Sequence, residues 1–519
     1  DHDDHEEEGH DDHEENLGYI NNSDFAVETS KFGISKEGDW GYFGFSFDNL
    51  ESLYGIPFHG DEHEEEEEGH DDHGDEDKHE GERIFSTTDS ETFSIKGMYN
   101  VNGNLVNSIT YNYRDSDYSL TEAHAEEEGH DDHEEEEEHE EHAPTVFSNN
   151  ATEYGAIFDI SNDNMTQKVV FNFVDEDSSI VGEEAFMNPA NNEEFTLGYY
   201  MSKDLEAFKV DFGMRLDQIE RTGSVTDEDH GDEDYYSIDE STNSFAVSLG
   251  RELSDTVNMS IGYASVERLP SVIELFMNGP HNATGRLETG NPNLKSETSD
   301  NFDITFNYEN GEYFGYASFY INDVDNYITL MDEDEDHAEE EGHDEDEHHD
   351  DDDHDSDGHD DHGHGNLIHA DYVQEDAEFD GYEIEFGRTM SLASGELTLS
   401  FGRDVVNAKF ADGHNVPRIN PARNVYSLAY EQDDTIFKLS MKDVEKQNDF
   451  GEGETASEAY QMLDMRLTKR FNINNAGDLK VTLFGRNLLD EVARNHASFV
   501  KNEVPLPGRN YGIKFNFSY

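Results

Sequence analysis

The sequence predicts an all-β protein, a transmembrane antiparallel β-barrel, and three observations lead to this fold class. Apolar and polar residues alternate with a period of two in many segments, which is typical of strands with one apolar and one polar face. Short turn-rich links alternate with long links along the chain. No run of about 18 apolar residues is present, so a transmembrane helix is not expected.

The end of the chain shows the strand pattern most clearly. One face of this segment carries Tyr511, Ile513, Phe515, Phe517 and Tyr519, and the other carries Gly512, Lys514, Asn516 and Ser518. Residues 245–249, 257–265 and 301–310 alternate in the same way. In a membrane barrel the apolar face contacts lipid and the polar face lines a wet lumen. Repeated along the chain, the pattern predicts about nineteen strands.

The links between strands fall into two classes. Tight links are predicted at 36–39, 102–103, 251–255, 309–312 and 432–434, and the other links are long and contain the acidic runs. Long structureless links are uncommon in compact soluble domains. Short turns at one end and long loops at the other indicate an outer-membrane barrel. The alternative is a soluble multi-sheet protein with acidic insertions, because sandwich strands also alternate.

Charge is concentrated in a few parts of the 519-residue chain. The formal net charge is −94, with 126 acidic residues against 32 basic ones. The acidic residues cluster at 1–15, 59–83, 122–142 and 332–364, with a smaller cluster at 227–234. This balance excludes nucleic acid as an expected partner and favours cations. The absence of cysteine excludes disulfides, thiolate metal sites and cysteine nucleophiles.

One acidic phrase recurs in these runs. EEEGHDDH occurs at 6–13, 66–73 and 126–133, and a relative, EEEGHDEDEHH, occupies 339–349. The histidines of these phrases are candidate metal ligands: His10, His13, His70, His73, His130, His133 and His343. Imidazole suits Zn²⁺, Ni²⁺ and Cu²⁺, and carboxylates add negative charge. We expect the four main runs to be disordered extracellular loops that gather cations at the barrel mouth. The alternative is solvated loops bridged by Ca²⁺ or Mg²⁺ to an anionic outer leaflet.

Two motif-rich segments resemble the TonB-dependent outer-membrane receptors. Residues 268–298 read RLPSVIELFMNGPHNATGRLETGNPNLKSET, and the chain ends with an N-L-L-D…P-x-P-G-R pattern. The first match rests on Arg268, Pro270, Glu274, Leu275, Gly279, His281, Ala283, Thr284, Gly290, Asn291, Pro292, Leu294 and Glu297. The second rests on Asn487, Leu488, Asp490, Pro507, Gly508 and Arg509.

Four further segments are similar to the zinc-uptake, ZnuD-like branch of that family. They are YGIPFHG at 54–60, VPRINPARN at 416–424, YQMLDMRL at 460–467 and RNHASFVKNEVPLPGR at 494–509. The resemblance implies a 22-strand barrel with an N-terminal plug inside it. It also implies location in the outer membrane of a Gram-negative bacterium, contact with its lipid, partnership with the TonB complex through the plug, and a monomer.

The first residue lies inside an acidic run, so we expect this sequence to be a barrel fragment. On that expectation the signal peptide, TonB-contact segment, plug and first three strands lie outside residues 1–519. The resemblance also implies that a piece of about nineteen strands could not close in the family's way.

Tight metal capture is expected from residues held on a rigid frame. His281, in the matched G-x-H-x-A-T stretch, is the first candidate. Glu122 and His124 follow a strand predicted at 104–118, and His59 and His496 lie in matched loop motifs. The ordinary interpretation of each histidine is a polar surface residue. Arg268 with Pro270, and residues 507–509, are interpreted as structural.

The resemblance and the histidines together predict a receptor that imports a divalent metal. Zinc is the first expectation, and Ni²⁺ and Cu²⁺ suit the same ligands. A receptor for haem or another metal chelate is a second hypothesis, because loop histidines also ligate haem iron. A surface protein that sequesters metal or mediates adhesion without transport is a third. No nucleotide loop, GxSxG or HExxH is present, so neither an enzyme nor a catalytic cofactor is expected.

Overall fold

The computed structural model describes residues 20, 22–57, 84–101, 103–124, 144–182, 185–226, 231–333, 367–473 and 477–519. These residues form one sheet of 21 strands with one short α-helix and one 3₁₀ turn. No helix within these ranges is long and apolar enough to cross a membrane. The strands are β1 (Phe25–Gly38), β2 (Gly41–Gly55), β3 (Ile84–Asn100), β4 (Ser108–His124), β5 (Thr145–Asp159), β6 (Thr166–Val181), β7 (Ala190–Asp204), β8 (Lys209–Thr226), β9 (Glu233–Ser254), β10 (Val257–Arg268), β11 (Asn278–His281), β12 (Arg286–Thr289), β13 (Glu297–Asn310), β14 (Tyr313–Asp332), β15 (Ile368–Leu392), β16 (Gly395–Phe410), β17 (Arg423–Gln432), β18 (Thr435–Val444), β19 (Tyr460–Asn472), β20 (Asp478–Arg486) and β21 (Asn510–Ser518).

Antiparallel pairing of neighbours builds the wall of the sheet. Each strand from β1 to β9 pairs with the next, β10 pairs with β13, and the series continues to β21. The four-residue strands β11 and β12 pair with each other inside the β10–β13 connection, and β12 also runs parallel to the start of β15. Nineteen wall strands are therefore present in the described residues, which agrees with the predicted count.

The two faces of the wall differ in chemistry, as the alternation predicts. On β20 and β21 the exposed side chains Leu483, Ile513 and Phe515 share one face, and Lys480 and Lys514 lie on the other. We call these the apolar face and the polar face. Hydroxyl pairs such as Thr305–Ser318 and Thr468–Thr482 bridge neighbouring strands on the polar face. The all-β, alternating architecture predicted from the sequence is confirmed.

The two ends of the wall carry the two classes of link. Two-residue turns join β1 to β2, β9 to β10, β13 to β14 and β17 to β18, at or within a few residues of the predicted positions. At the opposite end, the described long connections are 269–296, 411–422, 445–459 and 487–509.

Two predicted boundaries are wrong. Glu122 and His124 do not follow a strand that ends at 118, because β4 runs to His124 and its end pairs with Ile84–Ser86 of β3. Asp332 is the last residue of β14, where it pairs with Ala370. The acidic runs predicted to begin at 122 and 332 therefore start inside strands. Ladder hydrogen bonds to a neighbouring strand override the acidic composition at these ends.

Candidate ligand-binding site

The β10–β13 connection, residues 269–296, forms a small folded unit at the long-loop end of the wall. It contains helix α1 (Val272–Phe276), β11, a 3₁₀ turn (Asn282–Thr284) and β12. Ser271 caps α1, and its hydroxyl accepts from the Glu274 N–H while the Glu274 carboxylate accepts from the Ser271 N–H. This reciprocal pair satisfies two amide groups that a helix start leaves open. We call residues 269–296 the cap unit.

Apolar side chains fasten the cap unit to the wall. Leu275 and Phe276 are completely buried, and Phe276 stacks against Tyr236 of β9 with ring centroids 6.2 Å apart. The cluster also includes Phe186, Met187 and Met277. Helices and strands as short as these are not stable in isolation, so packing in the buried cluster is what fixes the position of the connection.

The matched R-x-P-x-x-x-E motif explains how the cap unit joins the strand before it. Arg268, the last residue of β10, donates to both carboxylate oxygens of Glu274, at 3.1 and 2.8 Å. Its other terminal nitrogen lies 3.0 Å from Glu297, at the start of β13. Pro270 is fully buried beside this group. Arg268 therefore ties the helix to both flanking strands, which fits the structural role expected of this motif.

His281 lies at the end of β11 and contacts a buried carboxylate. Its Nδ1 is 2.9 Å from Glu288 Oε1, and Thr284 Oγ1 donates to the same oxygen at 2.8 Å. The imidazole stacks on Phe186 with centroids 4.7 Å apart, and its side chain is 29% exposed against 3% for Glu288. A carboxylate that accepts from Nδ1 fixes the ring and leaves the Nε2 lone pair for an incoming metal.

A cationic group lies beside the cap unit. Arg286 of β12 makes a two-pronged contact with Asp332, at 2.7 and 2.6 Å, and both side chains are buried. The ring of Phe499 lies between two guanidinium groups, with Arg286 at 4.4 Å and Arg418 at 4.3 Å from its centroid. We call Arg286, Arg418 and Phe499 the arginine–phenylalanine stack.

Arg418 differs from Arg286 in its partners and its backbone. It donates to the Leu330 carbonyl, but no described carboxylate lies within ion-pairing distance of its guanidinium. Its φ of 62° places a non-glycine residue in the left-handed region, which is strained and is enriched at functional sites. Burial lowers the pKa of Arg418, although Asp332 and Glu454 act against that change. A cation with no carboxylate partner in the described part of the chain is suited to receive an anion.

His496 is buried in the β20–β21 connection, contrary to the ordinary expectation for a loop histidine. Its Nδ1 lies 2.7 Å from Ser457 Oγ, and its Nε2 has no hydrogen-bond partner in the described residues, with Glu454 Oε2 at 3.7 Å. Burial would raise the pKa of Glu454, but the neighbouring imidazole and the N–H groups of Arg418 and Gly451 hold it below its ordinary value. His496 belongs to the 487–509 connection, and its contacts with Ser457 and Glu454 link that connection to 445–459.

The remaining predicted ligands are not gathered at the cap unit. Glu122 and His124 lie in β4 at the backbone positions opposite Ser86 and Ile84. Among the residues that the structure describes, no three His, Asp or Glu side chains converge in a metal-binding arrangement. The other candidates lie outside the described residues: His10, His13, His59, His70, His73, His130, His133 and His343.

Sequence reasoning missed Glu288, Arg286, Asp332, Arg418 and Phe499. Glu288 and Arg286 lie in the matched segment 268–298, Arg418 lies in VPRINPARN, and Phe499 lies in RNHASFVKNEVPLPGR, but the sequence assigned none of the four a role. Arg286 and Asp332 are 46 positions apart, and Phe499 belongs to a third connection. Only the fold brings these residues together.

Comparison with known proteins shows a clear family signal. A family model described as "TonB dependent receptor-like, beta-barrel" matches residues 18–488. Among solved structures, one titled "Copper transporter OprC" has a TM-score of 0.70 at 13% identity, covering 97% of this chain and 73% of the matched chain. The FrpB iron transporter from Neisseria meningitidis (F3-3 variant) gives 0.64 at 12%, with 95% and 72% covered. The siderophore receptor PirA from Acinetobacter baumannii gives 0.65 at 10%, with 97% and 73% covered. At these identities the structural likeness shows a shared fold.

Proposed function

The chain belongs to the TonB-dependent receptor-like β-barrel family, and on that premise we propose that it acts as an outer-membrane receptor that imports a divalent metal, with zinc as the first expectation. The observation that supports this proposal best is the His281–Glu288 pair, 2.9 Å apart on the cap unit. A histidine oriented by a buried carboxylate is a common arrangement for a zinc ligand. The names of the matched copper and iron transporters favour metal cargo in general.

In this proposal the acidic runs and the cap unit have different roles, the first in gathering cations and the second in binding one ion. The runs at 1–15, 59–83, 122–142 and 332–364 gather cations at the barrel mouth, and their histidines favour a borderline metal such as Zn²⁺. His281 then holds one ion at a fixed position. Energy coupling through the TonB complex and a plug would release it to the periplasm.

The deciding experiment is zinc uptake by zinc-limited cells that carry the complete gene, with and without TonB. Uptake that requires TonB supports the receptor. Uptake that is the same with and without TonB contradicts the proposed receptor function. Metal binding without uptake also contradicts it and favours sequestration at the surface.

The role of His281 needs its own variants. His281→Ala should weaken zinc binding by the purified receptor, and Glu288→Gln should weaken it about tenfold, the lower end for loss of an outer-shell partner. His414→Ala is the matched control, because His414 also contacts a carboxylate, Asp412 at 2.8 Å, but is exposed. Equal zinc affinity in His281→Ala and His414→Ala would remove His281 as the ligand.

The gathering role of the runs is tested by deletion that spares the strand ends. Removing 1–15, 59–83, 125–142 and 334–364 should lower uptake at limiting zinc and leave the affinity of the inner site unchanged. Unchanged uptake at every zinc concentration would contradict the gathering role.

Arg418 favours a second candidate function, import of an anionic metal chelate. A bare Zn²⁺ ion gains nothing from this guanidinium, which has no carboxylate partner among the described residues, whereas a carboxylate or propionate group of a chelate can pair with it. Haem is a convenient test ligand, because its binding changes visible absorbance. Arg418→Gln should weaken chelate binding without changing zinc binding. No spectral change on haem titration would exclude haem as the ligand, and other anionic chelates would then be compared in the same way between the parent protein and Arg418→Gln.

A further inference from the structure

The long-loop ends of β14, β15 and β16 border a groove of about 910 Å³. Residues near the ends of these strands line it, together with residues of the 411–422 and 445–459 connections. Its size lies within the range of roughly 300–1,000 Å³ that is typical of small-ligand sites. We call it the rim groove. It is separate from the site around His281 and Arg418, neither of which lines it.

The rim groove lies on the apolar face of the wall. On β14 the exposed side chains Phe319 and Ile321 are followed at the next alternate position by Asp323, which lines the groove. Val324, on the other face, is buried. Alternate side chains of a strand share a face, so Asp323 continues the row of Phe319 and Ile321 toward the long-loop end. In an outer-membrane barrel that row contacts lipid and the long loops are extracellular, so the groove lies at the level of the outer-leaflet headgroups.

Three charged side chains of the rim groove form one row across the strands. Register places Asp323 of β14 opposite Glu378 of β15, and Glu378 opposite Lys409 of β16. All three are exposed, and none of them makes an ion pair within the described part of the chain. Directly opposed carboxylates repel one another. Among the described residues, the row therefore presents two negative charges beside one positive charge, all without a partner of opposite sign.

The other cations of the rim groove already have partners. Arg403 contacts Glu445 at 2.5 Å, and Lys446 contacts Glu458 at 2.6 Å. The remaining carboxylates that line the groove are Asp325, Asp376, Asp380 and Asp449. The groove therefore carries an excess of negative charge, and Lys409 is the one cation in its lining that has no carboxylate partner among the described residues.

This arrangement of charges identifies the class of ligand. A metal ion alone is not indicated, because no three acidic or histidine side chains converge on one point among the residues that the structure describes. Neighbouring strands are about 4.8 Å apart, so Glu378 and Lys409 present opposite charges at one strand spacing. An ethanolamine phosphate group carries an ammonium and a phosphate joined by an ethylene bridge, and one such group can reach both side chains. A primary ammonium also donates three hydrogen bonds, so Asp323 and Glu378 can share it, which relieves their repulsion.

We propose that the rim groove binds the headgroup of an outer-leaflet lipid in which a primary ammonium stands beside a phosphate. The ammonium pairs with Asp323 and Glu378, the phosphate pairs with Lys409, and the acyl chains lie along Phe319 and Ile321. This inference rests on the proposed location in the outer membrane and is independent of the imported cargo. Free ethanolamine phosphate offers the same polar contacts but has no apolar chain to bury, so it should bind more weakly than the lipid.

Lipid retention by the purified complete receptor, measured by native mass spectrometry, tests this proposal. No transport is measured, so this proposal and the proposed uptake function can fail separately. Short-chain phosphatidylethanolamine is the probe. Phosphatidylcholine has the same charges but a quaternary ammonium that donates no hydrogen bond, and phosphatidylglycerol lacks the ammonium. We expect phosphatidylethanolamine to be retained roughly fivefold more than either of them. Equal retention of the three lipids would overturn the proposal, and displacement by an equimolar amount of free ethanolamine phosphate would overturn the assignment to a lipid.

Charge variants locate the bound lipid. Asp323→Asn with Glu378→Gln should reduce the retention of phosphatidylethanolamine roughly fivefold, because two exposed charge contacts are lost. The matched control is Asp175→Asn with Glu193→Gln, since these acids are also directly opposed on the apolar face but lie outside the groove. Each double variant removes a repulsive pair, so both barrels should assemble normally. Unchanged retention in the first variant, or an equal loss in both, would overturn the proposal.

Discussion

Replacing Phe276 with alanine should release the cap unit while leaving the wall of the barrel intact. Phe276 is completely buried, stacks on Tyr236 at 6.2 Å, and belongs to the cluster that holds residues 269–296. Removing a buried phenylalanine costs about 3–5 kcal/mol. The wall keeps its ladder of backbone hydrogen bonds, because α1 contributes none to it. The loss should therefore fall on the local stability of the cap unit.

Hydrogen exchange measured by mass spectrometry reports this local stability directly. If exchange occurs through local opening, a loss of about 3–5 kcal/mol raises the rate in peptides from 269–296 by roughly a hundredfold or more. Peptides from β18 should exchange as in the parent protein. Ile273→Ala is the control on the same helix, because Ile273 is 44% exposed and its loss should change stability by at most about 0.5 kcal/mol. Equal protection of 269–296 in the Phe276 and Ile273 variants would refute the assigned packing.

Three further predictions concern the same end of the barrel. Arg286→Ala leaves the buried Asp332 carboxylate unpaired, which should cost about 3–5 kcal/mol, and a lowered thermal midpoint that Asp332→Asn with Arg286→Ala partly restores would confirm it. Gly279→Ala places a Cβ 3.1 Å from Phe186 at a φ of 147°, so it should distort the His281 loop and weaken zinc binding, whereas Gly213→Ala, with open space around it, should not. The pKa of Glu454 is held below its ordinary value of 4.5, so the stability that this carboxylate gives to the 445–459 and 487–509 contact is complete above about that pH and is lost as the pH falls through the lowered value. Protease cleavage within 487–509 should rise over that acid range, and Glu454→Gln should remove the pH dependence; cleavage that is independent of pH in the parent protein would contradict the assignment.

The strand architecture was predictable because its signal is local. In β21 the alternation of Tyr511, Ile513 and Phe515 with Lys514 gives both the strand and its two faces, and the observed register with β20 places Ile513 opposite Leu483 and Lys514 opposite Thr482. Strand ends were less predictable, as β4 shows, because cross-strand pairing extends it through polar residues to His124. The acidic composition at that point predicted a loop, whereas hydrogen bonding to β3 keeps these residues in a strand.

The site was predictable only where a motif lay within one segment. His281 could be chosen from the matched stretch around it, and the structure adds Glu288 as its partner seven residues later. The Arg286–Asp332 contact and the arginine–phenylalanine stack join separate connections, so no window of sequence contains them. Helix α1 was also missed, since five residues are too short for a helical period to be detected.

The anchoring of both ends of the fourth acidic run affects how any ligand affinity must be interpreted. Asp332 is held by Arg286, and Ile368 pairs with Arg286 across the parallel β12–β15 ladder, where its N–H donates to the Gly285 carbonyl at 3.1 Å. Both ends of this run therefore leave the structure beside the cap unit, at points that Arg286 fixes. A change in the number of residues between 334 and 364 should leave these two points of attachment and the His281 site in place. Variants of the run can therefore separate its own contribution to ligand binding from that of the site.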